Sequence, residues 1–303
     1  MANILVVGSI NMDLVVRVPH SPKPGETVLG GDFETFPGGK GANQAVAAAR
    51  MGGNVTMIGR VGNDNFGDTL IQGLLENDVK TTHVIKDSDA PTGIAMIAVA
   101  PDGENMIVVA PGANSKVSLE DISNTRELMR QSDLLLLQLE CPLEIICAAV
   151  DLAKVYQVPV VLNPAPAQPL PKSLLGNVDY LTPNQTELTQ LTDESDINRA
   201  INKIQGWGME NLIITLGPNG ARVISGGLDK HLPAHEITAV DTTAAGDAFN
   251  GALAVALAEQ KPLIEAVRYG MAAGALAATK HGAQPSLPMR EAVEDLMRSQ
   301  KQG

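Results

Sequence analysis

The sequence predicts an α/β fold with a mostly parallel central sheet and a small separate β lid. Short Val/Ile/Leu runs alternate with Ala-rich amphipathic stretches, which is typical of successive βαβ units. Aromatic residues make up only 3% of the 303 residues, so the core must be aliphatic. Two segments, 13–37 and 94–110, instead alternate apolar and polar residues around Pro and Gly. We expect these two insertions to form the lid.

Hydrophobic periodicity predicts the elements of the main body. The buried strands are expected at 4–8, 55–59, 134–139, 158–162, 178–182 and 211–216. The helices between them are expected at 42–52, 66–77, 118–131, 143–156 and 196–207. After residue 244 the pattern becomes helical, with helices expected at 245–260, 263–279 and 289–300.

The lid is predicted to consist of antiparallel strands, with a turn at Pro101-Asp102-Gly103 in the second insertion. No linker or internal repeat interrupts the chain. Residues 1–303 are therefore expected to form a single domain that carries the lid.

Composition and charge argue against several classes of protein. The 22 Lys+Arg and 34 Asp+Glu residues give a net charge of −12, so no nucleic-acid partner is expected. No apolar run approaches the roughly 20 residues of a membrane helix, and the N-terminus lacks signal-peptide features. We therefore expect a cytoplasmic protein. Cys141 and Cys147 have neither disulfide-framework nor zinc-site spacing.

The segment at residues 241–247, DTTAAGD, carries the most chemical information. The small residues Ala244, Ala245 and Gly246 allow backbone amides to form an anion site at a helix N-terminus. A carboxylate there would repel a phosphate, but it fits if Asp247 removes a proton from the attacking nucleophile. Alternatively, Asp247 only stabilises the first turn of a helix.

A glycine-rich segment at residues 37–43, PGGKGAN, opens the next candidate site. It lacks the Gly-x-x-x-x-Gly-Lys-Ser/Thr pattern of a P-loop because Lys40 is followed by Gly41. The Gly39 backbone, Lys40 and Asn43 suit a small polyhydroxylated ligand. A closely packed strand-to-helix turn is the alternative.

Polar residues also follow two of the predicted strands. Asn11 and Asp13 come just after the first strand with a spacing of two, and Glu140 ends the strand predicted at 134–139. The carboxyl ends of parallel strands are where ligands bind, so all three side chains are candidates for a binding crevice. Solvated turns are the alternative.

Two later segments could bind a nucleotide. Asn184 and Glu187 lie three residues apart at a predicted helix start, where they could hold Mg²⁺ through waters beside a triphosphate or form a capping box. The strand and tight turn ending at 215–220 could form the floor of a nucleotide site, although hairpin turns of this kind are common.

Together these motifs resemble the ribokinase, or phosphofructokinase B, family of sugar kinases. The resemblance runs in order from about residue 3 to residue 290, through GSINxD (8–13), GGKGANQA (38–45), QLE (138–140), NPAPA (163–167), NxxE (184–187), TLG (215–217) and DTTAAGD (241–247). It implies a three-layer α/β/α fold whose β lid covers the sugar. It also implies ATP-dependent phosphorylation of ribose at the 5-hydroxyl, and a homodimer formed through the lid.

The resemblance also implies roles for individual residues. The ribose site would comprise Asn11, Asp13, Gly39, Lys40, Asn43 and Glu140. Asp247 would be the general base, and the amides of Ala244, Ala245 and Gly246 would form the anion hole. The ATP and Mg²⁺ side would comprise Asn184, Glu187, Thr215, Gly217 and Gly220, together with Gly246. A K⁺ ion would be held by Asp241, Thr243, Ala277, Lys280, Gly282 and Ser286, several of them through carbonyls.

Two alternatives remain from the sequence. The chain could phosphorylate another small sugar or a nucleoside, or it could be a sugar-binding sensor without catalysis. A sensor of that kind would be recognised by a replaced Asp247 or a disrupted anion site, and the sequence has neither. One departure from the family pattern is Met271, where relatives more often carry His or Asn near the adenine.

Overall fold

The computed structural model describes residues 1–101 and 105–299. The strands in these residues are β1 (Asn3–Val7), β2 (Asn11–Arg17), β3 (Phe33–Gly38), β4 (Asn54–Gly62), β5 (Lys80–Asp87), β6 (Gly93–Val99), β7 (Asn105–Ala110), β8 (Leu134–Leu137), β9 (Val160–Leu162), β10 (Tyr180–Leu181), β11 (Asn211–Thr215), β12 (Ala221–Ser225) and β13 (Leu228–Leu232). The helices are α1 (Lys40–Arg50), α2 (Asn65–Glu76), α3 (Leu119–Ser123), α4 (Arg126–Arg130), α5 (Leu143–Tyr156), α6 (Lys172–Leu175), α7 (Gln185–Thr192), α8 (Ile197–Gln205), α9 (Ala245–Ala258), α10 (Leu263–Ala277) and α11 (Arg290–Ser299).

The large sheet has the strand order β13-β12-β11-β10-β9-β8-β1-β4-β5. All neighbours from β11 to β5 are parallel, whereas β12 and β13 form an antiparallel hairpin at one edge. Alternate residues of β1 enter two different cores: Ile4 and Val6 pack on one face, and Leu5 and Val7 on the other. The mostly parallel three-layer fold predicted from the sequence is therefore confirmed.

The lid is a second sheet with the order β3-β2-β6-β7. It begins at Asn11 rather than at residue 13. The prediction that all its strands are antiparallel is wrong for the central pair, because β2 and β6 run parallel. Each of these strands follows a parallel strand of the large sheet, β1 or β5, so both enter the lid in the same direction. Asp102 and Gly103 of the predicted turn lie outside the described residues.

Other differences from the predictions are local. The helix expected at 118–131 is divided into α3 and α4, separated by Asn124 and Thr125. The strands β5, β12 and β13 were not predicted. The edge strands β5 and β13 carry few consecutive apolar residues, and β12 is a short strand interrupted by Arg222. In the part of the chain that the structure describes, no helix combines the length and hydrophobicity that a bilayer span requires.

Candidate active site

The predicted sugar residues and Asp247 meet at the carboxyl edge of the large sheet. Asn43 lies in the first turns of α1 and Asp247 in the first turn of α9, and these two helices pack against each other. Asn43 Nδ2 donates to Asp247 Oδ2 over 2.9 Å. The glycine-rich segment and the DTTAAGD segment, 204 residues apart at this contact, therefore form one site.

Two glycines allow α1 to approach the end of β1 closely. Gly39, the residue before α1, has a φ of 87°, and a Cβ there would lie 2.7 Å from the Asn11 nitrogen. A Cβ on Gly41 would lie 2.6 Å from the Ser9 nitrogen. Close packing therefore requires both glycines, and the packed turn brings Lys40 and Asn43 next to Asn11.

Asp247 is a buried carboxylate with donors on both oxygens. Asn43 Nδ2 donates to Oδ2, and Gln44 Nε2 donates to Oδ1, each over 2.9 Å. Burial raises the pKa of Asp247, whereas the positive charge of Lys40 and the two amide hydrogen bonds oppose that rise. The group is therefore fixed in position, and its raised pKa makes it a stronger proton acceptor than an exposed carboxylate.

Asp13 and Glu140 place further negative charge beside Lys40. Burial, with the charges of Glu140 and Asp247, raises the pKa of Asp13 to about 7, and Lys40 opposes the rise. Although burial favours neutral Lys40, the carboxylates of Asp247, Glu140, Glu187 and Asp13 raise its pKa. Lys40 is therefore charged, and it is the shared counter-ion of this carboxylate cluster.

Hydrogen bonds hold two of the predicted sugar residues in place. Glu140 Oε2 accepts from the Lys40 backbone nitrogen over 3.0 Å and from the Ser9 hydroxyl. Asn114 Nδ2 donates to Asn11 Oδ1 over 2.7 Å. Asn114 is buried in the segment after β7, so it links the end of the lid to Asn11 at the start of lid strand β2.

The N-terminus of α9 has the features of an anion site. No side chain caps the helix, and the residue before it, Ala244, has a left-handed φ of 58°. Left-handed backbone costs an alanine roughly 1 kcal/mol or more, and such strain is concentrated at functional sites. A Cβ on Gly246 would meet nothing within 4 Å, so the space in front of the first turn is open. The Ala245 nitrogen already donates to the Thr242 carbonyl over 3.2 Å, whereas the Gly246 amide beside the open space can receive an anion.

The predicted nucleotide residues form a neighbouring, more exposed group. Asn184 and Glu187 make a capping box at the start of α7, with both hydrogen bonds at 2.8 Å. Thr215 pairs with Asn184 in a parallel bridge. Burial raises the pKa of Glu187, the hydrogen bond from Asn184 and the charge of Lys40 oppose the rise, and Asp247 adds to it. Glu187 is thus within electrostatic range of the sugar side.

The turn after β11 exposes backbone next to this group. Gly217 and Gly220 have positive φ values of 56° and 90°, and the Leu216 nitrogen donates to the Gly220 carbonyl over 2.8 Å. The hairpin β11–β12 continues from it. This turn is therefore the hairpin turn that the sequence offered as an alternative. Its role as the floor of a nucleotide site stays a prediction.

Asp241 joins two of the segments predicted to hold a cation. Its Oδ1 accepts from the Thr243 nitrogen and its Oδ2 from the Gly282 nitrogen, each over 2.9 Å. Burial opposes ionisation, but these hydrogen bonds lower the pKa of Asp241, so it is a carboxylate. The other three residues lie in the same C-terminal stretch: Ala277 accepts from the Lys280 nitrogen at the end of α10, and Ser286 is buried in the turn Gln284–Ser286.

Several polar residues of the site were not assigned a role from the sequence. They are fully or almost fully buried amides and one hydroxyl that contact the predicted residues or one another: Gln44, Asn114, Gln138, Asn163, Thr182 and Asn250. Their positions in the sequence could have identified three of them, because Gln138, Asn163 and Thr182 each directly follow a buried strand.

Comparison with known proteins agrees with this geometry. The model of the pfkB family of carbohydrate kinases matches residues 1–290. A ribokinase from Haemophilus influenzae is 45% identical over 94% of this chain and 95% of its own length. The structure of a Thermotoga maritima ribokinase superposes with a TM-score of 0.90 at 41% identity, covering 98% of this chain and 100% of the other. An Arabidopsis thaliana ribokinase complexed with ribose and ATP superposes with a TM-score of 0.89 at 35% identity, covering 98% and 99%. The chain therefore belongs to the pfkB family of carbohydrate kinases.

Proposed function

We propose that this chain transfers the γ-phosphoryl group of ATP to the 5-hydroxyl of D-ribose, giving ribose 5-phosphate and ADP. The observation that carries the proposal is a buried, doubly hydrogen-bonded Asp247 in the first turn of an uncapped helix. A base and an anion site in one helical turn are what phosphoryl transfer to a hydroxyl requires. The similarity to ribokinases over nearly the whole chain supports ribose as the acceptor.

The sugar binds among Asn11, Asp13, Gly39, Lys40, Asn43 and Glu140, all of which lie around one buried cluster of charge. Ribose hydroxyls donate to the carboxylates of Asp13 and Glu140, which compensates their burial. Asp247 takes the proton of the 5-hydroxyl as that oxygen attacks. Lys40 balances the negative charge that gathers between Asp247 and the phosphoryl group.

The phosphates occupy the other half of the site. The amides of Ala244, Ala245 and Gly246 receive the transferring phosphoryl group, and Gly246 leaves the approach open. The capping box of α7 and the backbone turn Gly217–Gly220 bind the rest of ATP. Asn184 and Glu187 would hold Mg²⁺ through waters. The carboxylates of Asp13, Glu187 and Asp247 share one positively charged neighbour among the described groups that shift their pKa values, and that neighbour is Lys40. A divalent cation would balance the remaining negative charge.

The residues that would hold a K⁺ ion are Asp241, Thr243, Ala277, Lys280, Gly282 and Ser286. The ionised Asp241, which already bridges the segments at Thr243 and Gly282, supplies the charge, and backbone carbonyls supply further oxygens. Because residues 241–243 lead directly into the anion site, a cation here would orient its amides. The effect of K⁺ should therefore be mainly on kcat.

A homodimer through the lid accounts for an exposed apolar strand. All described residues of β7 are exposed, including Met106 at 45%, Ile107 at 57%, Val108 at 59% and Val109 at 46%. An uncovered apolar edge strand is normally covered by a partner. Sedimentation should give a dimer for the wild type and a monomer for Val108→Lys. An equal sedimentation coefficient for both proteins would contradict the lid interface.

The direct test of the function is ADP release over a panel of acceptors. Ribose, deoxyribose, fructose, adenosine and their phosphates are supplied with ATP, with and without Mg²⁺, in K⁺ or in Na⁺. We expect the highest kcat/KM with ribose, a requirement for Mg²⁺, and faster turnover in K⁺. A higher kcat/KM for adenosine or another sugar would replace ribose as the substrate, and the absence of turnover with every acceptor would favour a binding protein.

A further inference from the structure

A chain of buried side-chain amides runs beneath Asp247 and is used by none of the roles above. Its central member is Gln44, which is completely buried on α1. Gln44 Nε2 donates to Asp247 Oδ1 over 2.9 Å and to Asn163 Oδ1 over 3.1 Å. Gln44 Oε1 accepts from Gln138 Nε2 over 2.6 Å. Both ends of the Gln44 amide are therefore fixed.

The chain continues to the backbone of the anion site. Asn163 Nδ2 donates to the Thr182 carbonyl over 3.0 Å, and the Thr182 hydroxyl donates to Asn250 Oδ1 over 2.6 Å. Asn250 Nδ2 in turn donates to the Gly246 carbonyl over 2.8 Å. Because Gly246 is bonded to Asp247, the chain forms a closed ring that begins and ends at the catalytic turn.

Burial of this ring is unfavourable unless its amide groups have hydrogen-bond partners. An unsatisfied amide in a protein interior loses the free energy of its lost hydrogen bonds to water, so each member fixes the next. Gln138, Asn163 and Thr182 lie at the ends of β8, β9 and β10, so the position of Gln44 is set by the rigid sheet. Asn43, the other donor to Asp247, instead belongs to the proposed sugar contacts.

We propose that Gln44 is a positioning residue that connects Asp247 to the rigid large sheet. Its hydrogen bond to Asp247 Oδ1 holds the carboxylate in one orientation, and proton transfer takes place from that orientation. The inference rests on the proposed role of Asp247 as general base. Gln44 itself contacts no substrate in this scheme. Its donation to Oδ1 also favours the ionised carboxylate and opposes the rise in pKa that burial causes.

The test compares the pH dependence of kcat/KM for ribose in Gln44→Met and Gln138→Met. Both variants remove a buried amide of the same size, but only Gln44 donates to Asp247. We expect Gln44→Met to lower kcat roughly tenfold or more. The acid limb, which is the fall of kcat/KM on the low-pH side of the profile, should move upward by about one pH unit. Gln138→Met removes one hydrogen bond rather than three, so it should lose less thermal stability and give a clearly smaller shift of the limb.

The remaining charges near Asp247 are the same in both variants. They are Lys40 on α1, Glu140 after β8, Asp13 on β2 and Glu187 on α7. A difference between the variants in the acid limb therefore reports on Gln44. Equal shifts, or no shift in either protein, would overturn the proposal and leave Gln44 as a purely structural residue.

A second variant covers the case in which Gln44→Met does not fold. Gln44→Glu keeps the volume and the acceptor for Gln138 but replaces the donor to Asp247 with an acid, so the limb should move further upward. An acid limb at the wild-type position in folded Gln44→Glu would overturn the proposal. Turnover of the wild type with different sugars tests the proposed function separately from the role of Gln44. If the wild type prefers another sugar, the pH dependence of the variants is measured with that sugar.

Discussion

The two halves of the candidate site are built in different ways. On the proposed sugar side, Asn11, Asp13, Asn43 and Asp247 are between 3% and 9% exposed, and most of the contacts that fix them come from side chains. On the proposed nucleotide side, Asn184, Gly217 and Gly246 are exposed, and the binding groups are helix starts and a backbone turn.

This difference has a consequence for specificity. A buried carboxylate is left with an unpaired oxygen when the sugar hydroxyl that donates to it is missing, so the sugar side can discriminate strongly between similar acceptors. Backbone amides bind any phosphate with similar geometry, and exposed groups can replace a lost contact with water. Substitutions should therefore cost much more on the sugar side than on the nucleotide side.

The largest effect is expected for Asp247→Asn. The amide keeps the size of the carboxylate but cannot accept the proton, so kcat should fall by roughly 10² to 10⁴. Calorimetry should show that the variant still binds ribose and ATP, because its neighbours are unchanged. Turnover close to the wild-type rate would mean that another group removes the proton.

The second effect is on ribose binding by Asp13→Ala. Loss of a buried acceptor should raise the KM for ribose by about 100-fold and reduce discrimination against deoxyribose, with a much smaller change in the KM for ATP. The control is Glu34→Ala, which removes an exposed acid from lid strand β3. If the KM for ATP rose while that for ribose stayed constant, Asp13 would not belong to the sugar side.

Asp13 also predicts a cost in stability that depends on pH. The pKa of Asp13 is about 7 in the folded protein and 3.8 for an ordinary aspartate side chain, so the folded state binds more protons than the unfolded state between these pH values. The free energy of unfolding should therefore fall as pH rises from about 4 to 7 and then level off. Asp13→Asn should be more stable than wild type at pH 8 by on the order of 4 kcal/mol, and the difference should vanish near pH 4. Urea unfolding without ligands measures this, and a difference independent of pH would contradict it.

The sequence predicted the two halves unequally. Asp247, Lys40 and Asp13 could be identified because charged residues among small or apolar neighbours are conspicuous in a sequence. Gln44 could not, because a glutamine in a helix is ordinary until the fold places it against Asp247. On the nucleotide side the capping box of Asn184 and Glu187 could be confirmed only from the structure, and the Mg²⁺ contact proposed for Glu187 stays a prediction.

The fold shows the same division. Buried parallel strands such as β1 and β8 are continuous apolar runs, so they were predicted close to their observed positions. The parallel pairing of β2 with β6 was missed because it depends on where two distant segments leave the large sheet. Pairing direction is a property of topology that no local pattern encodes.

The smallest effect is expected for Asn184→Ala, which tests the nucleotide side most directly. The substitution removes the N-cap of α7, which should cost about 1 kcal/mol of stability. Asp196→Ala is the matched control, because Asp196 caps the next helix, α8, by accepting from the Arg199 nitrogen over 2.9 Å. Both variants should lower the Tm by similar amounts.

Steady-state kinetics then separates the two caps. Only Asn184→Ala should raise the KM for ATP, by roughly two- to fivefold, because the backbone groups that bind phosphate remain and water replaces the exposed amide. The KM for ribose should not change in either variant. An increase in the KM for ATP comparable to the ribose effect of Asp13→Ala would mean that a side chain dominates nucleotide binding, and the contrast between the two halves would not hold.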